Sequence, residues 1–101
     1  MSLQKDADRN EIKYLRKFVD FNDKRVLEIG CGEGRLTWQY AKAARSVVAV
    51  DLDHDSLRVA KVDRPSDLDD KIDLACANSE YLPFAKEKFD IAIFGMVALM
   101  Y

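Results

Sequence analysis

Apolar residues occur along this chain in two patterns, one at helical spacing and one in short continuous runs. Within residues 6–21, Ile12, Leu15, Phe18 and Val19 stand at helical spacing among charged residues, which predicts an amphipathic helix that packs against a core. Short apolar runs follow, each of strand length and rich in Val and Ile. These runs predict buried strands at residues 25–29, 46–50, 72–77 and 89–94.

Helices and loops are predicted between these strands. The helices are expected at residues 35–44 and 57–62, the second capped by Asp55 or Ser56 and ended by Arg64-Pro65, and the loops at residues 66–71 and 78–88. Residues 95–101 begin like a turn into a further helix. Since parallel neighbouring strands need crossover connections, this order predicts an α/β fold with an open parallel sheet flanked by helices.

The length and net charge of the chain limit the classes of protein to which it could belong. A chain of 101 residues predicts a single domain, with an N-terminal helix and linker over residues 1–24 and an α/β core over residues 25–101. The formal net charge of −2 argues against strong electrostatic attraction to nucleic acid or to an anionic membrane. No apolar run reaches the roughly 18 residues of a membrane span, and the first residues contain no hydrophobic signal region. We therefore expect a cytoplasmic protein.

The residues that could ligate a metal are few and scattered. Cys31 and Cys76 form no C-x-x-C pattern, and His54 is the single histidine. Structural zinc sites need several such ligands at short, regular spacing. The sequence therefore predicts no metal site, and it predicts structural or free thiols.

Three glycines at alternate positions follow the first predicted strand in the segment VLEIGCGEG. Gly30, Gly32 and Gly34 stand where open α/β sheets bind ligands, beyond the carboxyl end of a strand. Glycine allows positive φ and lets a ligand approach the main chain. A phosphate-binding P-loop would need Gly-Lys followed by Ser or Thr, and a dinucleotide fingerprint would need a third glycine where Arg35 stands. The spacing is instead acid-x-G-x-G-x-G, beginning at Glu28.

Asp51 ends the second predicted strand and opens the acidic segment DLDHDS. A carboxylate at this place, about twenty residues beyond a glycine turn, can accept hydrogen bonds from both hydroxyls of a ribose. The alternative is a solvated acid beside a helix. The combination of strand end and glycine turn favours the ribose.

Four segments in this order and spacing, VLEIGCGEG, VVAVDLD, ANSEYLPF and KFDIAIFG, resemble the successive motifs of class I S-adenosylmethionine-dependent methyltransferases. The resemblance implies a Rossmann-like fold, with S-adenosylmethionine as cofactor and S-adenosylhomocysteine as product. The family's sheet has seven strands. The resemblance implies that this chain supplies four of them, in the order 3-2-1-4, and is incomplete at its C-terminus.

The resemblance also implies roles for the residues of the glycine turn. Gly30, Cys31 and Gly32 would pass beneath the methionine and ribose portions of the cofactor. Gly34 is also implied as a cofactor-binding residue. Glu28 would help to hold the methionine amino group through water.

Further implied contacts lie at the ends of the later strands. Asp51 would bind the ribose diol, and Leu52 would lie against the adenine ring. The side chain of Asn78, where the family more often has Asp, and the main chain of Ser79 would bind the adenine edge. The residues implied at the methionine end are Phe94 and Gly95.

The function implied is methyl transfer to an acceptor that the sequence does not identify, with this chain supplying the cofactor site. Transfer from a sulfonium is an in-line displacement that depends mainly on orientation and exclusion of water. The sequence assigns no catalytic base, and the candidates without a role are His54, Tyr14, Tyr81 and Tyr101. The alternative is a non-catalytic module that binds S-adenosylmethionine or S-adenosylhomocysteine and lacks the acceptor site. A dehydrogenase is third, disfavoured by Arg35.

The fourth strand predicts a further property. In the order 3-2-1-4, residues 91–94 (IAIF) would lie at an unpaired sheet edge, which is a template for pairing with another chain. We therefore expect self-association, giving a homo-oligomer, through strand 89–94 or the apolar tail 95–101.

Overall fold

The structure is a computed structural model that describes residues 12–77, 85–94 and 97–101. The described elements are helical residues 12–16 (α1), β1 (Arg25–Ile29), α2 (Arg35–Ala41), β2 (Ser46–Asp51), α3 (His54–Asp63), a 3-10 turn (Ser66–Leu68), β3 (Ile72–Cys76), α4 (Ala85–Lys88), β4 (Ile91–Phe94) and β5 (Val97–Met100). All four predicted strands are present, each with bounds within two residues of those expected.

The strands form one sheet in the order β3-β2-β1-β4-β5. The first four are parallel, and β1 lies between β2 and β4, with Val26 opposite both Val47 and Ile91. This confirms the predicted Rossmann-like order 3-2-1-4.

The sheet has a fifth strand that the sequence did not predict. Residues 97–100 pair antiparallel with β4, with Ile91 opposite Met100, where a helix was expected. An antiparallel return needs only a short connection, whereas a parallel strand needs a long crossover, so the apolar tail can pair at once with the open side of β4. The prediction that residues 91–94 form the sheet edge was therefore wrong, because β5 covers them.

Helix bounds differ from the predicted ones at several ends. The cap of α3 is Asp53, not Asp55 or Ser56: its carboxylate accepts hydrogen bonds from the main-chain N–H groups of both those residues. The first helix ends at residue 16, and Phe18, predicted on its buried face, is 61% exposed. Residues 85–88 form a short helix inside the predicted loop, while residues 78–84 of that loop lie outside the described residues.

The core lies mainly on one face of the sheet. Alternate strand residues such as Val26 and Ala49 pack there with side chains from α1, α2 and α3, including Leu15, Tyr40 and Leu57. Two successive right-handed crossovers running in the same direction along the sheet place α2 and α3 on this one face. A smaller cluster lies on the opposite face, formed by Leu27, Ala92, Ile29, Val48 and Phe89.

The segment predicted as a solvated loop, residues 66–71, contains the 3-10 turn, whose Leu68 is buried in the core. Among the residues that the structure describes, no helix is long and apolar enough to cross a membrane.

Candidate functional site

The predicted site residues gather at one edge of the sheet. Since β1, β2, β3 and β4 are parallel, their carboxyl ends lie side by side. Ile29 lies opposite both Val50 and Phe94, and Asp51 lies opposite Cys76. The glycine turn, Asp51 and Phe94 therefore share this edge, which we call the cofactor edge.

The glycine turn is fixed to the neighbouring strand through its main chain. The N–H groups of Gly30 and Cys31 both donate to the carbonyl oxygen of Val50, at 2.8 and 3.1 Å. The N–H of Gly34 donates to the carbonyl oxygen of Cys31 at 3.0 Å and closes the turn. Gly30, Gly32 and Gly34 have φ values of +78°, +58° and +89°, which L-residues with a side chain adopt only with strain.

The three glycines differ in what surrounds them. A Cβ atom added to Gly30 or Gly32 would meet no described atom within 4 Å beyond its chain neighbours. A Cβ atom on Gly34 would instead overlap the indole ring of Trp38. Gly30 and Gly32 thus leave a cradle beside the main chain, whereas Gly34 makes room for a side chain of α2.

Asp51 joins the end of β2 to the glycine turn. One carboxylate oxygen accepts from the N–H of Gly32 at 2.8 Å, and the other accepts from the N–H of Asp53, also at 2.8 Å. Each carboxylate oxygen has two lone-pair sites, so each can accept one more hydrogen bond. The next residue, Leu52, is 64% exposed at the same edge.

Glu28 is a buried carboxylate beneath the turn. One of its oxygens accepts hydrogen bonds from Thr37 Oγ1 at 2.6 Å and from Tyr40 Oη at 2.7 Å. Burial, followed by the negative charge of Glu28, raises the pKa of Tyr40 well above its usual value, so its hydroxyl remains a donor. Glu28 therefore anchors α2 to β1. Its contact with a cofactor amino group stays a prediction.

The floor of the cofactor edge is negatively charged. Burial, and after it the charges of Glu28 and Asp51, raises the pKa of the Cys31 thiol to about 12. The thiol is therefore neutral at physiological pH. The carboxylates of Glu28 and Asp51 near the glycine cradle favour a ligand that carries positive charge.

Of the other predicted site residues, the structure describes only some. Phe94, at the end of β4, is 44% exposed beside the glycine turn. Asn78, Ser79 and Gly95 lie outside the described residues. Within the described parts of the chain, no group of three or more His, Cys, Asp or Glu side chains could hold a metal ion.

A surface concavity of about 600 Å³ lies elsewhere, lined by residues 16–22 and Ala43. Residues 20–22 precede β1 and Ala43 precedes β2, so this concavity lies at the amino ends of the strands. Open α/β sheets bind their ligands at the opposite, carboxyl end. We therefore place the candidate site at the cofactor edge rather than at this concavity.

Residues 26–101 match the sequence model of a methyltransferase domain family. The chain belongs to this family. Membership confirms the resemblance described above and implies S-adenosylmethionine as the family's cofactor. The match begins at β1 and takes in the glycine turn, Asp51 and β4.

Individual relatives support this placement. The chain is 30% identical over 81 residues to the ubiquinone biosynthesis O-methyltransferase of Hydrogenovibrio crunogenus, with 79% of this chain and 33% of the relative covered. The YcgJ protein of Bacillus subtilis superposes with a TM-score of 0.73 at 22% identity, over 85% of this chain and 37% of that one. The cyclase SpnF superposes with a TM-score of 0.72 at 24% identity, over 91% and 35%. The last two likenesses concern the fold. The chain spans about a third of the length of the curated relative.

The sequence did not predict the contacts of Thr37 and Tyr40 with Glu28. It left His54 without a role, and the structure places His54 Nε2 3.4 Å from Cys76 Sγ. The spacing of Thr37 and Tyr40, three residues apart on one helix face, is the signal that could have indicated a shared partner. The pairing of His54 with Cys76 depends on the β2–β3 register and has no local signal.

Proposed function

We propose that the cofactor edge binds S-adenosylmethionine and that this chain supplies the cofactor-binding part of a methyltransferase. The observation that carries the proposal is the link from Asp51 to the N–H of Gly32 at 2.8 Å. This hydrogen bond holds a carboxylate with acceptor capacity directly beside a glycine cradle that no described side chain fills.

The residues present fit the parts of this cofactor. Asp51 would accept from the ribose hydroxyls, and the exposed side chain of Leu52 would lie against the adenine ring. Gly30 and Gly32 would let the methionine portion approach the main chain, and the charges of Glu28 and Asp51 suit its cationic groups. When bound, S-adenosylmethionine supplies a methyl group activated by a sulfonium.

Two functional classes follow from this binding. The first is methyl transfer to an acceptor bound by residues beyond those described; the curated relatives, named as O-methyltransferases, support it. The second is a module that binds the cofactor without transferring its methyl group. The likeness in fold to a protein named as a cyclase favours testing transfer separately from binding.

The binding proposal is tested by calorimetry with S-adenosylhomocysteine and with NAD as the competing ligand. Saturable binding of S-adenosylhomocysteine with no binding of NAD is expected. Binding of NAD alone would overturn the proposal, and so would the absence of binding by either ligand to the folded chain.

Asp51→Ala gives the sharper test. We expect at least about a tenfold loss of affinity for S-adenosylhomocysteine, the equivalent of one hydrogen bond to a charged group. Asp55→Ala is the matched control, because it removes the same charge four residues away, from an exposed aspartate paired with Arg58. Far-UV circular dichroism of both variants separates lost binding from lost structure. Equal affinities for the two variants would contradict the assigned role of Asp51.

Methyl transfer is tested with labelled S-adenosylmethionine and a panel of small-molecule, protein, lipid and RNA acceptors. Transfer of the label to one class of acceptor would show that the chain is a methyltransferase acting on that class. Binding without transfer across the panel favours the module.

We also propose that the chain self-associates through β5. The exposed side chains of Val97, Leu99, Met100 and Tyr101 support this proposal, and so does the absence of any charged residue from residues 97–101.

A further inference from the structure

A cysteine and a histidine meet at the rim of the cofactor edge. Cys76 is the last residue of β3, and His54 is the first residue of α3. His54 Nε2 lies 3.4 Å from Cys76 Sγ, and both side chains are exposed. The thiol also lies 3.7 Å from the carbonyl oxygen of Leu52, the residue that follows Asp51. We propose that Cys76 and His54 form a thiol–imidazole pair that reacts with soft carbon electrophiles.

The arrangement contains the two parts that an activated thiol requires. The reactive species is the thiolate, and a neighbouring imidazole is a group that can accept the thiol proton. Asp53 lies next to His54 in the chain. Its pKa is lowered by hydrogen bonds from Ser56 and Asp55 and, more weakly, by the charge of His54. Asp53 is therefore anionic at physiological pH, and it immediately precedes the residue that accepts the proton.

The second cysteine supplies an internal comparison. Cys31 is buried at 7% exposure, and burial with the charges of Glu28 and Asp51 raises its pKa to about 12. It is a neutral, enclosed thiol at physiological pH. A single reactive thiol is therefore expected in the folded chain, although the sequence has two cysteines.

The reaction balances without a further reagent. With an alkyl halide such as iodoacetamide, Cys76 Sγ forms a bond to carbon and the carbon–iodine bond breaks, so iodide leaves with its electron pair. The thiol proton passes to His54 Nε2 and from there to water. With an α,β-unsaturated carbonyl compound, the sulfur adds to the β carbon and the proton ends on the α carbon.

The position of Cys76 gives this reaction a consequence that rests on the proposed function. Asp51 and Cys76 are register partners, and Asp51 and Leu52 are the residues assigned to the ribose and the adenine. A group attached to Sγ would occupy the space beside Leu52. We therefore expect modification to block cofactor binding and bound cofactor to protect the thiol.

The first experiment measures reactivity and does not depend on the cofactor. The folded chain is treated with iodoacetamide, and carbamidomethylation of each cysteine is followed over time by peptide mass spectrometry. Cys76 is expected to react at least about tenfold faster than Cys31, because one thiol is exposed and the other is buried and neutral. His54→Gln is expected to slow Cys76 by roughly three- to tenfold, since it removes the proton acceptor.

Two further variants serve as controls for the reactivity measurement. Asp55→Ala alters the neighbouring exposed turn without removing the imidazole and should leave the Cys76 rate within about twofold of the original. Cys76→Ser should abolish the fast reaction. Comparable rates for Cys31 and Cys76 in the folded chain would overturn the proposal, as would an unchanged Cys76 rate in His54→Gln with native circular dichroism.

The second experiment tests the consequence for the site. S-adenosylhomocysteine at saturation is expected to slow Cys76 alkylation at least about fivefold, and the alkylated chain to lose at least about tenfold in affinity. A fast, His54-dependent reaction with no binding of S-adenosylhomocysteine would overturn the proposed function and leave the reactive pair intact. Binding that neither protects Cys76 nor suffers from its alkylation would place the pair outside the cofactor site.

Discussion

Gly30 and Gly34 have similar backbone conformations but different surroundings. Their φ values are +78° and +89° respectively. A side chain at Gly30 would project into the cradle, whereas one at Gly34 would strike Trp38. One glycine therefore leaves the cradle open and the other makes room for the packing of α2, although the sequence motif presents them as equivalent.

This difference predicts separable effects of alanine substitution. Gly30→Ala is expected to cost about 1–2 kcal/mol, the strain of a left-handed residue. Gly34→Ala is expected to cost a further 1–3 kcal/mol or so, because its Cβ also overpacks the indole. Urea unfolding followed by circular dichroism measures both.

A second change identifies the source of the extra cost. Trp38→Ala in the Gly34→Ala background should recover part of the additional loss, relative to the effect of Trp38→Ala alone. Equal destabilisation by the two glycine substitutions would contradict the assignment of Gly34 to packing.

At the scale of elements, β4 is joined to the start of β1 by an ion pair. The Asp90 carboxylate, just before β4, accepts hydrogen bonds from Arg25 Nε at 3.2 Å, Nη2 at 3.1 Å and the main-chain N–H at 2.9 Å. The Asp90 N–H donates in return to the Arg25 carbonyl oxygen at 2.8 Å. These contacts fix the register at which β4 enters the sheet.

The ion pair predicts a pH dependence of stability. Hydrogen bonds from the Arg25 side chain and main chain lower the pKa of Asp90 to about 2. A carboxyl whose pKa is lower in the folded chain stabilises the fold above its unfolded value of about 3.9, and this contribution is lost as the pH falls toward 2. The free energy of unfolding of the original chain should therefore exceed that of Asp90→Asn above pH 4, with the gap closing between pH 4 and pH 2.

Comparing the original chain with Asp90→Asn isolates the contribution of the Asp90 carboxyl. Asp23 and Asp53 also have lowered pKa values, caused first by hydrogen bonds from Arg45 and from Ser56 respectively, and both remain in Asp90→Asn. Arg25→Gln should reduce the acid sensitivity in the same window. A gap between the original chain and Asp90→Asn that stays constant from pH 7 to pH 2 would refute the lowered pKa of Asp90.

An element could be predicted from the sequence where neighbouring residues alone indicate its type. Each parallel strand was predictable because its apolar run is bounded by turn residues or charges. The tail 97–101 is equally apolar, but no local signal states whether such a run becomes a helix or a strand. Residues 97–100 form a strand because they pair with the open side of β4.

At the scale of the whole molecule, the two outer strands differ in how they discourage pairing. The strand at one edge, β3, carries the exposed Asp73 and is preceded by acidic residues 69 and 70. The strand at the other edge, β5, has neither charge nor proline, and Val97, Leu99 and Met100 are exposed. Charged residues on an edge disfavour pairing with another chain. The proposed self-association therefore involves β5 rather than β3.

Leu99→Lys tests this proposal. Sedimentation velocity over a concentration series should show an oligomer for the original chain and a shift toward monomer for the variant, because a charge on the edge opposes pairing. Val62→Lys is the control, since it places the same charge on an equally apolar residue that is 80% exposed on α3. A monomeric original chain at high concentration would refute self-association, and equal dissociation by both variants would refute the assignment to β5.

The strand order 3-2-1-4 was implied by the family resemblance. The sequence by itself determined the four parallel strands, the glycine turn and the acid at the end of β2. These features depend on local patterns: apolar runs, glycine spacing and a carboxylate at a strand end. Tertiary structure decided the partners of those residues, namely Asp51 with Gly32, Glu28 with Thr37 and Tyr40, and Cys76 with His54. It also made β5 the sheet edge. Such contacts join residues distant in the chain, and they exist only once the strands are in register.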